Sequence, residues 1–378
     1  MKIHRNMLDI INDALPAGKV VVLYGPRQVG KTTLVKELMT SFSQNVRFYN
    51  ADELIYRETL SSQNLQQLTD LSGDAELVII DEAQRVENIG INLKLIDDNY
   101  PELRIVATGS ASFELANKIS EPLTGRKLTF TLYPVSYAEL LKTFGRLHAR
   151  DQLERWLVWG GYPEIVTTED ISQRERLMGE LVSSYLYRDL LEMEDIRHSS
   201  KIVDLLRLLA FQIGSEVSIS ELAANLSADF RTVQRYLDLL EKVFVIFRVG
   251  GFSRNLRKEI TKNARYYFFD NGVRNSLIQN FNPLKFRDDI GQLWENYLMV
   301  ERLKANQIAG RSVNTYFWRT YDQKEIDCIE ERNGKLFGYE FKYSNGDIRK
   351  ATKREFLNAY PGSELSLITN ENFESFIT

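Results

Sequence analysis

Short apolar runs alternate with longer amphipathic stretches in the first third of the chain. Four of the runs have the length of strands, and all but the second are rich in Val, Ile or Leu, as in strands that are buried on both faces. These runs cover residues 19–24, 46–50, 76–81 and 103–108. Helical sequence lies between them, including an amphipathic stretch from Lys31 to about Ser41. Strands that alternate with helices predict an α/β domain over residues 1–135, with helices on both faces of a parallel sheet.

The pattern changes after this domain. Residues 136–209 are mostly helical in character, with a break at Gly160-Gly-Tyr-Pro163, and they predict a helical connecting region. Residues 210–270 combine two short helices with a hairpin-like basic segment. Residues 271–378 begin with a helix and continue as strands joined by a short turn, which predicts a small α/β domain.

Composition limits the class of protein. The chain has 378 residues, of which 43% are hydrophobic and 26% charged, as in soluble globular proteins. Its net charge of −4 excludes a globally basic nucleic-acid coat. The single cysteine, Cys328, cannot form an internal disulfide, which favours a reducing cytoplasm. We find neither a signal peptide nor 18 consecutive apolar residues, so no membrane segment is predicted.

A phosphate-binding loop follows the first predicted strand. The sequence Gly-Pro-Arg-Gln-Val-Gly-Lys-Thr fits G-x-x-x-x-G-K-[ST], with a strand before it and a helix after it. Such a loop points its N–H groups at phosphates, and the helix N-terminus adds a positive dipole end. We predict that Lys31 contacts the β- and γ-phosphates and that Thr32 gives its hydroxyl to Mg²⁺. The predicted nucleotide-binding residues of the loop are Gly25, Pro26, Arg27, Gln28, Val29, Gly30, Lys31, Thr32 and Thr33.

The third predicted strand supplies acids for the same site. The run Leu-Val-Ile-Ile leads into Asp81 and Glu82, at the carboxyl end of a strand, where open α/β sheets bind ligands. We predict that Asp81 helps Thr32 to hold Mg²⁺. Glu82 is the predicted catalytic residue that orients or deprotonates the attacking water.

Three residues are weaker candidates for contact with the γ-phosphate. Thr108 or Ser110, at the end of the fourth strand, is predicted to sense the γ-phosphate, and an ordinary strand-to-loop turn is the alternative. Arg126 is a candidate catalytic arginine that stabilises charge within the molecule or across a subunit interface. A solvated arginine is the alternative for Arg126.

The nucleotide base is predicted from a missing carboxylate. GTPases recognise guanine with an Asp, typically in Asn-Lys-x-Asp, whereas residues 117–120 here are Asn-Lys-Ile-Ser. ATP, with Mg²⁺, is therefore the predicted ligand.

A helix-turn-helix pattern occupies residues 218–240. Ser218 caps a short helix, and a second helix follows after a turn. Two strand-like runs then suggest the wing of a winged helix. Residues 248–265 carry six basic residues and one acid, which predicts contact with a DNA backbone. Winged helices also act as inert packing modules, so that alternative stays open.

A hairpin near the C-terminus brings acids together. Asn333-Gly334 is a strong two-residue hairpin signal, and it places Asp327 opposite Glu340 and Glu325 opposite Lys342 on one face. Directly opposed acids destabilise a hairpin unless a divalent cation lies between them. This is the D…E-x-K arrangement of restriction-endonuclease-like phosphodiesterases. A second Mg²⁺ or Mn²⁺ site is therefore predicted at Glu295, Asp327 and Glu340 with Lys342 beside it, and a solvated hairpin face is the alternative.

Taken together, these motifs resemble those of the prokaryotic AAA-type ATPases that carry a C-terminal domain of unknown function. The resemblance spans nearly the whole chain and implies an ATP-binding domain, a winged helix and a restriction-endonuclease-like fold. Asn271 stands where many relatives have Thr. The resemblance rests on the phosphate loop, on the Glu-Ile-Asp and Glu-Phe-Lys set, and on further short motifs. These are Ile-Ile-Asp-Glu-Ala-Gln, Thr-Gly-Ser-Ala-Ser, Leu-Thr-Gly-Arg, Tyr-Pro-Val-Ser-Tyr-Ala-Glu, Gly-Gly-Tyr-Pro, Tyr-Arg-Asp-Leu, Phe-Phe-Asp-Asn-Gly, Trp-Glu-Asn and Phe-Trp-Arg.

Two functional hypotheses follow. The first is an ATPase that is coupled to a DNA-contacting and nuclease-like C-terminal module. The second is a regulatory ATPase switch whose C-terminal part binds a protein partner, a second copy of the chain, or DNA without cutting it.

Overall fold

The computed structural model of the protein describes residues 2–15, 17–42, 45–110, 119, 122–193, 199–253 and 264–378. For residues 184–193 and for residue 199 the description covers the backbone only. The chain forms two compact units. The N-terminal unit consists of His4–Pro134 with Lys242–Phe244, and the C-terminal unit consists mainly of Val135–Glu241 and Val245–Thr378.

The N-terminal unit is built on a parallel sheet of five described strands in the order β2-β3-β4-β1-β5. The predicted parallel α/β arrangement is confirmed, and four of the strands lie where the apolar runs placed them. The strands are β1 (Val20–Tyr24), β2 (Val46–Asn50), β3 (Leu77–Asp81), β4 (Arg104–Gly109) and β5 (Lys127–Thr131). The described helices are α1 (Asn6–Ala14), α2 (Lys31–Met39), α3 (Leu54–Leu60), α4 (Leu65–Ser72) and α5 (Ile89–Asn99), with a 3-10 turn at Ala83–Arg85.

The register of the sheet brings the predicted site residues to one edge. Tyr24 pairs with Gly109, and Ile80 pairs with Ala107, so the carboxyl ends of β1, β3 and β4 lie side by side. Every residue of β1 and β3 is buried, which is why the two strands read as continuous apolar runs. Strand β5 was not predicted, because its sequence Lys-Leu-Thr-Phe-Thr is half polar and only partly buried.

The C-terminal unit combines helices with a sheet of seven described strands in the order β12-β11-β10-β9-β7-β8-β6. Its strands are β6 (Glu216–Val217), β7 (Ile246–Gly251), β8 (Ala264–Phe268), β9 (Asn314–Arg319), β10 (Glu325–Arg332), β11 (Lys335–Phe341) and β12 (Glu364–Ile368). Its helices are α6 (Tyr137–Phe144), α7 (Arg146–Asp151), α8 (Leu153–Trp159), α9 (Pro163–Thr167), α10 (Ile171–Met193), α11 (Ser199–Phe211), α12 (Ile219–Asn225), α13 (Phe230–Lys242), α14 (Asn271–Leu277), α15 (Ile290–Ile308), α16 (Lys350–Ala359) and α17 (Glu374–Ile377), with a 3-10 turn at Leu284–Phe286.

Two predicted domain boundaries, after residues 209 and 270, fall inside this unit. The sheet is continuous across the second boundary, because β7 pairs in parallel with β9 through Gly250–Tyr316 and Gly251–Phe317. The elements from α11 to β8 follow the order helix, strand, helix, helix, strand, strand. In the part of the chain that the structure describes, no helix is both long and apolar enough to cross a membrane.

The predicted hairpin register is confirmed. β10 pairs with β11 from Arg332–Lys335 to Cys328–Tyr339, with Asn333 in the left-handed region at φ 50°. The pairing of β10 with β9 shifts by one residue between Ile326 and Ile329, which marks a β-bulge. Ile326 and Ile329 consequently belong to the same hydrophobic cluster although they are three residues apart.

Two motifs from the sequence pack against each other in this unit. Gly160 has φ +77°, and a Cβ there would lie 2.0 Å from the carboxylate of Asp270. That carboxylate accepts from the N–H groups of Gly161 (2.7 Å) and Val273 (3.1 Å) and so caps α14. Burial raises the pKa of Asp270 to about 6. The Gly-Gly-Tyr-Pro break therefore leaves room for the Asp270 cap.

We predict that Gly160→Ala destabilises the C-terminal unit by about 2 kcal/mol or more, because the methyl group meets Asp270 and the backbone is left-handed. The matched control is Gly179→Ala in α10, where a Cβ has nothing within 4 Å and φ is not positive. The control is expected to be neutral or to stabilise by about 0.5–1 kcal/mol. Urea unfolding followed by tryptophan fluorescence measures both. Equal stability of the two variants would contradict the packing argument.

Candidate functional site

The phosphate loop lies between β1 and α2, and three of its residues, Gly25 among them, have positive φ. Gln28 has φ 59° and Gly30 has φ 94°. Gly25 approaches the backbone of Leu132 so closely that a Cβ would lie 2.2 Å from the Leu132 carbonyl oxygen. Only glycine fits at Gly25, which explains the first fixed position of the motif.

Lys31 is buried at the start of α2 and turns back over the loop. Its ammonium donates to the carbonyl oxygens of Gly25 at 2.8 Å and Pro26 at 2.7 Å. Lys31 is therefore held at the loop, where the sequence predicted it.

Asp81, at the carboxyl end of β3, joins the loop helix to the neighbouring strand. Its Oδ2 accepts from the Thr32 hydroxyl at 2.7 Å, and its Oδ1 accepts a short hydrogen bond from the Thr108 hydroxyl. Asp81 and Thr108 are buried. The structure thus brings together Thr32 and Asp81, the predicted magnesium ligands, and shows that Thr108 positions the Asp81 carboxylate.

Glu82 follows Asp81 with a left-handed backbone, at φ 54°. Its N–H donates to the Thr108 hydroxyl at 3.3 Å, and its Oε2 accepts from the Gln84 side-chain amide at 2.5 Å. The same amide donates to the Ser110 hydroxyl at 3.2 Å. Gln84 thus joins Glu82 to Ser110. Its role was not predicted, although it belongs to the Ile-Ile-Asp-Glu-Ala-Gln motif, because its contacts depend on the turn after β3.

Arg126 lies at the wrong edge of the sheet for the role predicted within the molecule. Its carbonyl accepts from the N–H of Val20, the first residue of β1, whereas the phosphate loop follows the last residue of that strand. Its guanidinium forms a short ion pair with Asp98 and lies 3.7 Å from Asp97. The structure therefore does not bring Arg126 to the phosphate loop of its own chain, and the role across a subunit interface stays a prediction.

The segment used to predict adenine lies mostly outside the described residues, since residues 117, 118 and 120 are not described. The preference for ATP over GTP therefore stays a prediction.

The C-terminal acids surround an arginine. The Arg265 guanidinium, on β8, lies 3.3 Å from Glu295, 2.9 Å from Glu325 and 3.8 Å from Asp327. It also lies over the Phe317 ring, 4.6 Å from the centroid. The side chain of Arg265 is only 4% exposed. This arginine supplies a positive charge within the acid cluster that we had predicted to hold a second cation.

The acids of this cluster also contact a tyrosine and other groups of the hairpin. Tyr267 donates to Glu295 at 2.7 Å, and the Phe341 N–H donates to Asp327 at 2.8 Å. Lys342 lies 2.9 Å from Glu340. Asp327, Glu340 and Lys342 thus lie in the hairpin, and Glu295, on α15, joins Asp327 through Arg265. However, no three His, Cys, Asp or Glu side chains among the described residues are arranged to hold a metal ion.

Burial governs the charge of the cluster. Burial, together with the charges of Glu295 and Glu340, raises the pKa of Asp327 well above its usual range. Burial also raises the pKa of Glu295, against the opposing effect of Arg265. Burial alone would lower the pKa of Arg265, but the nearby Tyr267 and acids outweigh it and raise that pKa. The guanidinium is therefore charged, and the acids depend on it for neutralisation.

Family comparisons divide the chain into three parts. Residues 17–141 match the family described as AAA domain. Residues 150–284 and 290–375 match two families described as domains of unknown function, DUF8612 and DUF4143. Together with the parallel sheet and its phosphate loop, these matches support an AAA-type P-loop ATPase with C-terminal domains of unknown function.

Several curated relatives are similar to this chain along most of their length. Three of them, from different organisms, are described as uncharacterized. A Mycobacterium tuberculosis protein is 29% identical over 332 residues, which cover 87% of this chain and 71% of the relative. A Methanocaldococcus jannaschii protein is 26% identical, over 82% of this chain and 72% of the relative. A Haemophilus influenzae protein is 25% identical, over 84% of this chain and 80% of the relative.

Solved structures are similar only at low scores. The RuvB Holliday junction branch migration motor of Thermotoga maritima has a TM-score of 0.35 and 18% identity, covering 65% of this chain and 90% of that chain. A signal transduction ATPase with numerous domains from Pyrococcus horikoshii has a TM-score of 0.31 and 14% identity, covering 82% and 50%.

We predict that Arg265→Met lowers the free energy of unfolding of the C-terminal unit by about 3–5 kcal/mol, because buried carboxylates lose their cation. All four tryptophans (Trp156, Trp159, Trp294 and Trp318) belong to this unit, so fluorescence during urea unfolding reports on it. The control is Arg319→Met, which removes a more exposed ion pair with Glu216 and should cost about 1 kcal/mol or less. An Arg265→Met loss no larger than that of the control would contradict the assignment.

The loss of stability in Arg265→Met should depend on pH, and the direction of this dependence follows from the pKa values of the acids. An acid whose pKa is raised in the folded state stabilises the fold at low pH, and this contribution is lost as the pH rises through the folded-state value. Without Arg265, the pKa values of Asp327 and Glu295 rise further. The defect of Arg265→Met should consequently be larger at about pH 8 than at about pH 5.5, and the reverse order would contradict it.

Proposed function

We propose that this protein binds ATP with Mg²⁺, hydrolyses the ATP, and couples the hydrolysis to a C-terminal unit that contacts DNA. The observation that carries the ATPase assignment is the meeting of the Thr32 hydroxyl and the Asp81 carboxylate at 2.7 Å, beside the phosphate loop. Lys31 and Glu82, the other two groups that the reaction needs, lie in the same loop and on the same strand end.

The residues at this point suit magnesium. A hydroxyl and a carboxylate are the hard oxygen donors that Mg²⁺ prefers, and in such sites the ion is shared with phosphate oxygens. Thr32 and Asp81 would hold it, and Thr108 fixes the orientation of the Asp81 carboxylate through a short hydrogen bond. When bound, the ion neutralises charge on the phosphates.

Lys31 provides a reason for phosphate binding to be favourable. In this structure the Lys31 ammonium donates to two neutral carbonyls of the loop. Phosphate oxygens carry negative charge and form stronger, charge-assisted hydrogen bonds with an ammonium. The hydrogen bonds of the ammonium therefore become stronger when it exchanges the loop carbonyls for the β- and γ-phosphates.

Glu82 is the group that orients or deprotonates the attacking water. Its carboxylate is held by the Gln84 amide, and Gln84 also contacts Ser110 at the end of β4. This chain of contacts supports a role for Ser110 in relating the γ-phosphate to Glu82. Thr108 is committed to Asp81, so Ser110 is the better candidate sensor.

Lys31→Ala and Glu82→Gln should separate binding from hydrolysis. Lys31→Ala is expected to lose ATP binding and turnover, whereas Glu82→Gln should keep ATP binding and lose about 100-fold or more in kcat. Lys36→Ala, an exposed substitution on the same helix, is the matched control. ATP affinity by calorimetry and phosphate release measure the two effects. Normal turnover in Lys31→Ala would refute the assignment.

Contact with DNA is supported by topology and by charge. The order of elements from α11 to β8 is that of a winged helix, and α12 and α13 have helix-turn-helix spacing. Of the basic segment 248–265, Arg248 is exposed, while Arg265 is buried among acids and unavailable to a phosphate. The remaining basic residues of the segment, Arg254, Arg257, Lys258 and Lys262, lie outside the described residues.

A C-terminal unit that binds without cutting is favoured over a nuclease by one observation. Arg265 already neutralises the acids that a nuclease would need for its metal ion. The alternative function is accordingly a regulatory ATPase switch, in which this unit binds DNA, a protein partner or a second copy of the chain.

DNA should stimulate ATP hydrolysis and remain intact. We expect turnover with Mg²⁺ to rise on addition of duplex or single-stranded DNA, and binding to weaken steeply with salt. Neutralising Arg254, Arg257 and Lys258 together should remove both effects. DNA cutting with Mn²⁺ that disappears in Asp327→Ala would instead establish the nuclease. Turnover that ignores DNA would favour the switch with a protein partner.

A further inference from the structure

Arg5 connects the phosphate loop to a neighbouring segment of the N-terminal unit. It precedes α1 and is 8% exposed. Its guanidinium donates from Nη1 to the Val29 carbonyl at 2.6 Å and from Nη2 to the Tyr133 carbonyl at 2.6 Å. One side chain near the start of the unit thus holds two segments that lie far apart in sequence.

The Val29 carbonyl is the informative acceptor. Val29 is fully buried and lies between Gln28 and Gly30, which both have positive φ. When the N–H groups of such a loop converge on a phosphate, some of its carbonyls must point away, and a buried carbonyl needs a donor. Arg5 supplies that donor at the most constrained part of the loop.

The other end of the loop is fastened to the same segment. The Leu132 N–H donates to the Tyr24 carbonyl at 2.7 Å, and Gly25 packs directly on the backbone of Leu132. Residues 132 and 133 therefore hold both ends of the loop, one by direct backbone contact and one through Arg5. Removing the guanidinium would release the Val29 end alone.

We infer that Arg5 is a positioning residue for the nucleotide site, and that it holds the phosphate loop in its binding shape by linking Val29 to Tyr133. The inference rests on the proposed ATPase function. The planar guanidinium reaches both carbonyls at once with two different nitrogens, whereas a lysine ammonium is a compact point charge without this rigid fork. Arg5 is expected to act on phosphate affinity through the loop, without contact with the reacting atoms.

The test compares Arg5→Gln and Arg5→Lys with the wild-type chain, by ATP and ADP affinity and by steady-state hydrolysis. We expect Arg5→Gln to raise Kd and KM together by about tenfold or more, and Arg5→Lys to fall between it and wild type. A merely structural defect would lower the active fraction, and hence the apparent kcat, without changing KM. An unchanged KM in both variants would overturn the inference.

The control is Arg174→Gln in the C-terminal unit. Arg174 is also buried and also donates to backbone carbonyls, those of Thr168 and Glu169. It should leave KM unchanged. If the wild-type chain itself fails to bind ATP, the proposed function fails; if wild type binds and Arg5→Gln binds equally well, only the Arg5 inference fails.

Hydrogen–deuterium exchange of the chain without nucleotide gives a second readout that does not need activity. Peptides covering residues 25–32 should exchange faster in the Arg5 variants than in wild type, because the loop opens more often. Arg174→Gln should leave their exchange unchanged. If Arg5→Gln does not fold, the test rests on Arg5→Lys. An Arg5→Lys variant whose loop exchange and KM both equal those of the wild type would overturn the inference.

Discussion

The candidate nucleotide site depends on the Asp81 carboxylate, which accepts hydroxyl hydrogen bonds from two different segments. Thr32 belongs to the helix after the phosphate loop, and Thr108 belongs to the strand beside β3. A buried carboxylate is costly unless its oxygens are bonded, so Asp81 can be kept here only if both hydroxyls reach it. The parallel register of β1, β3 and β4 satisfies this condition, because it brings their carboxyl ends to one edge.

Sequence alone predicted the parts of this site that follow from local rules. Lys31, Thr32 and Asp81 lie at the loop and at the adjacent strand end, because a phosphate loop and an apolar strand ending in an acid each have a fixed local pattern. Their roles toward a nucleotide stay predictions. Arg126 could not be placed, because the edge of the sheet on which a loop residue lies depends on strand order. Gln84 was missed for a similar reason, since its amide meets Glu82 and Ser110 only after two strands have paired.

In the C-terminal unit, prediction succeeded for pairing and failed for charge. The Asn333-Gly334 turn determined the register of β10 and β11, which is a local property. The charged partner of Asp327, by contrast, is not determined by the neighbouring sequence. Arg265 lies far away in sequence, on β8, and joins the acids only because β7 pairs with β9 and continues the sheet between them. A count of charges along the sequence placed Arg265 in a surface patch, whereas the fold buries it.

The two acidic centres therefore differ in what holds their charge. At Asp81 the partners are hydroxyl groups, which can rotate and turn their lone pairs toward a cation that arrives with a nucleotide. At Glu295 and Asp327 the partner is a buried guanidinium that belongs to the chain and also stacks on Phe317. Replacing it would require moving a charged side chain out of a low-dielectric site, which costs several kcal/mol. The first arrangement suits a ligand that exchanges in each catalytic cycle. The second suits a permanent element of the fold, and this difference supports the proposal that turnover belongs to the N-terminal unit.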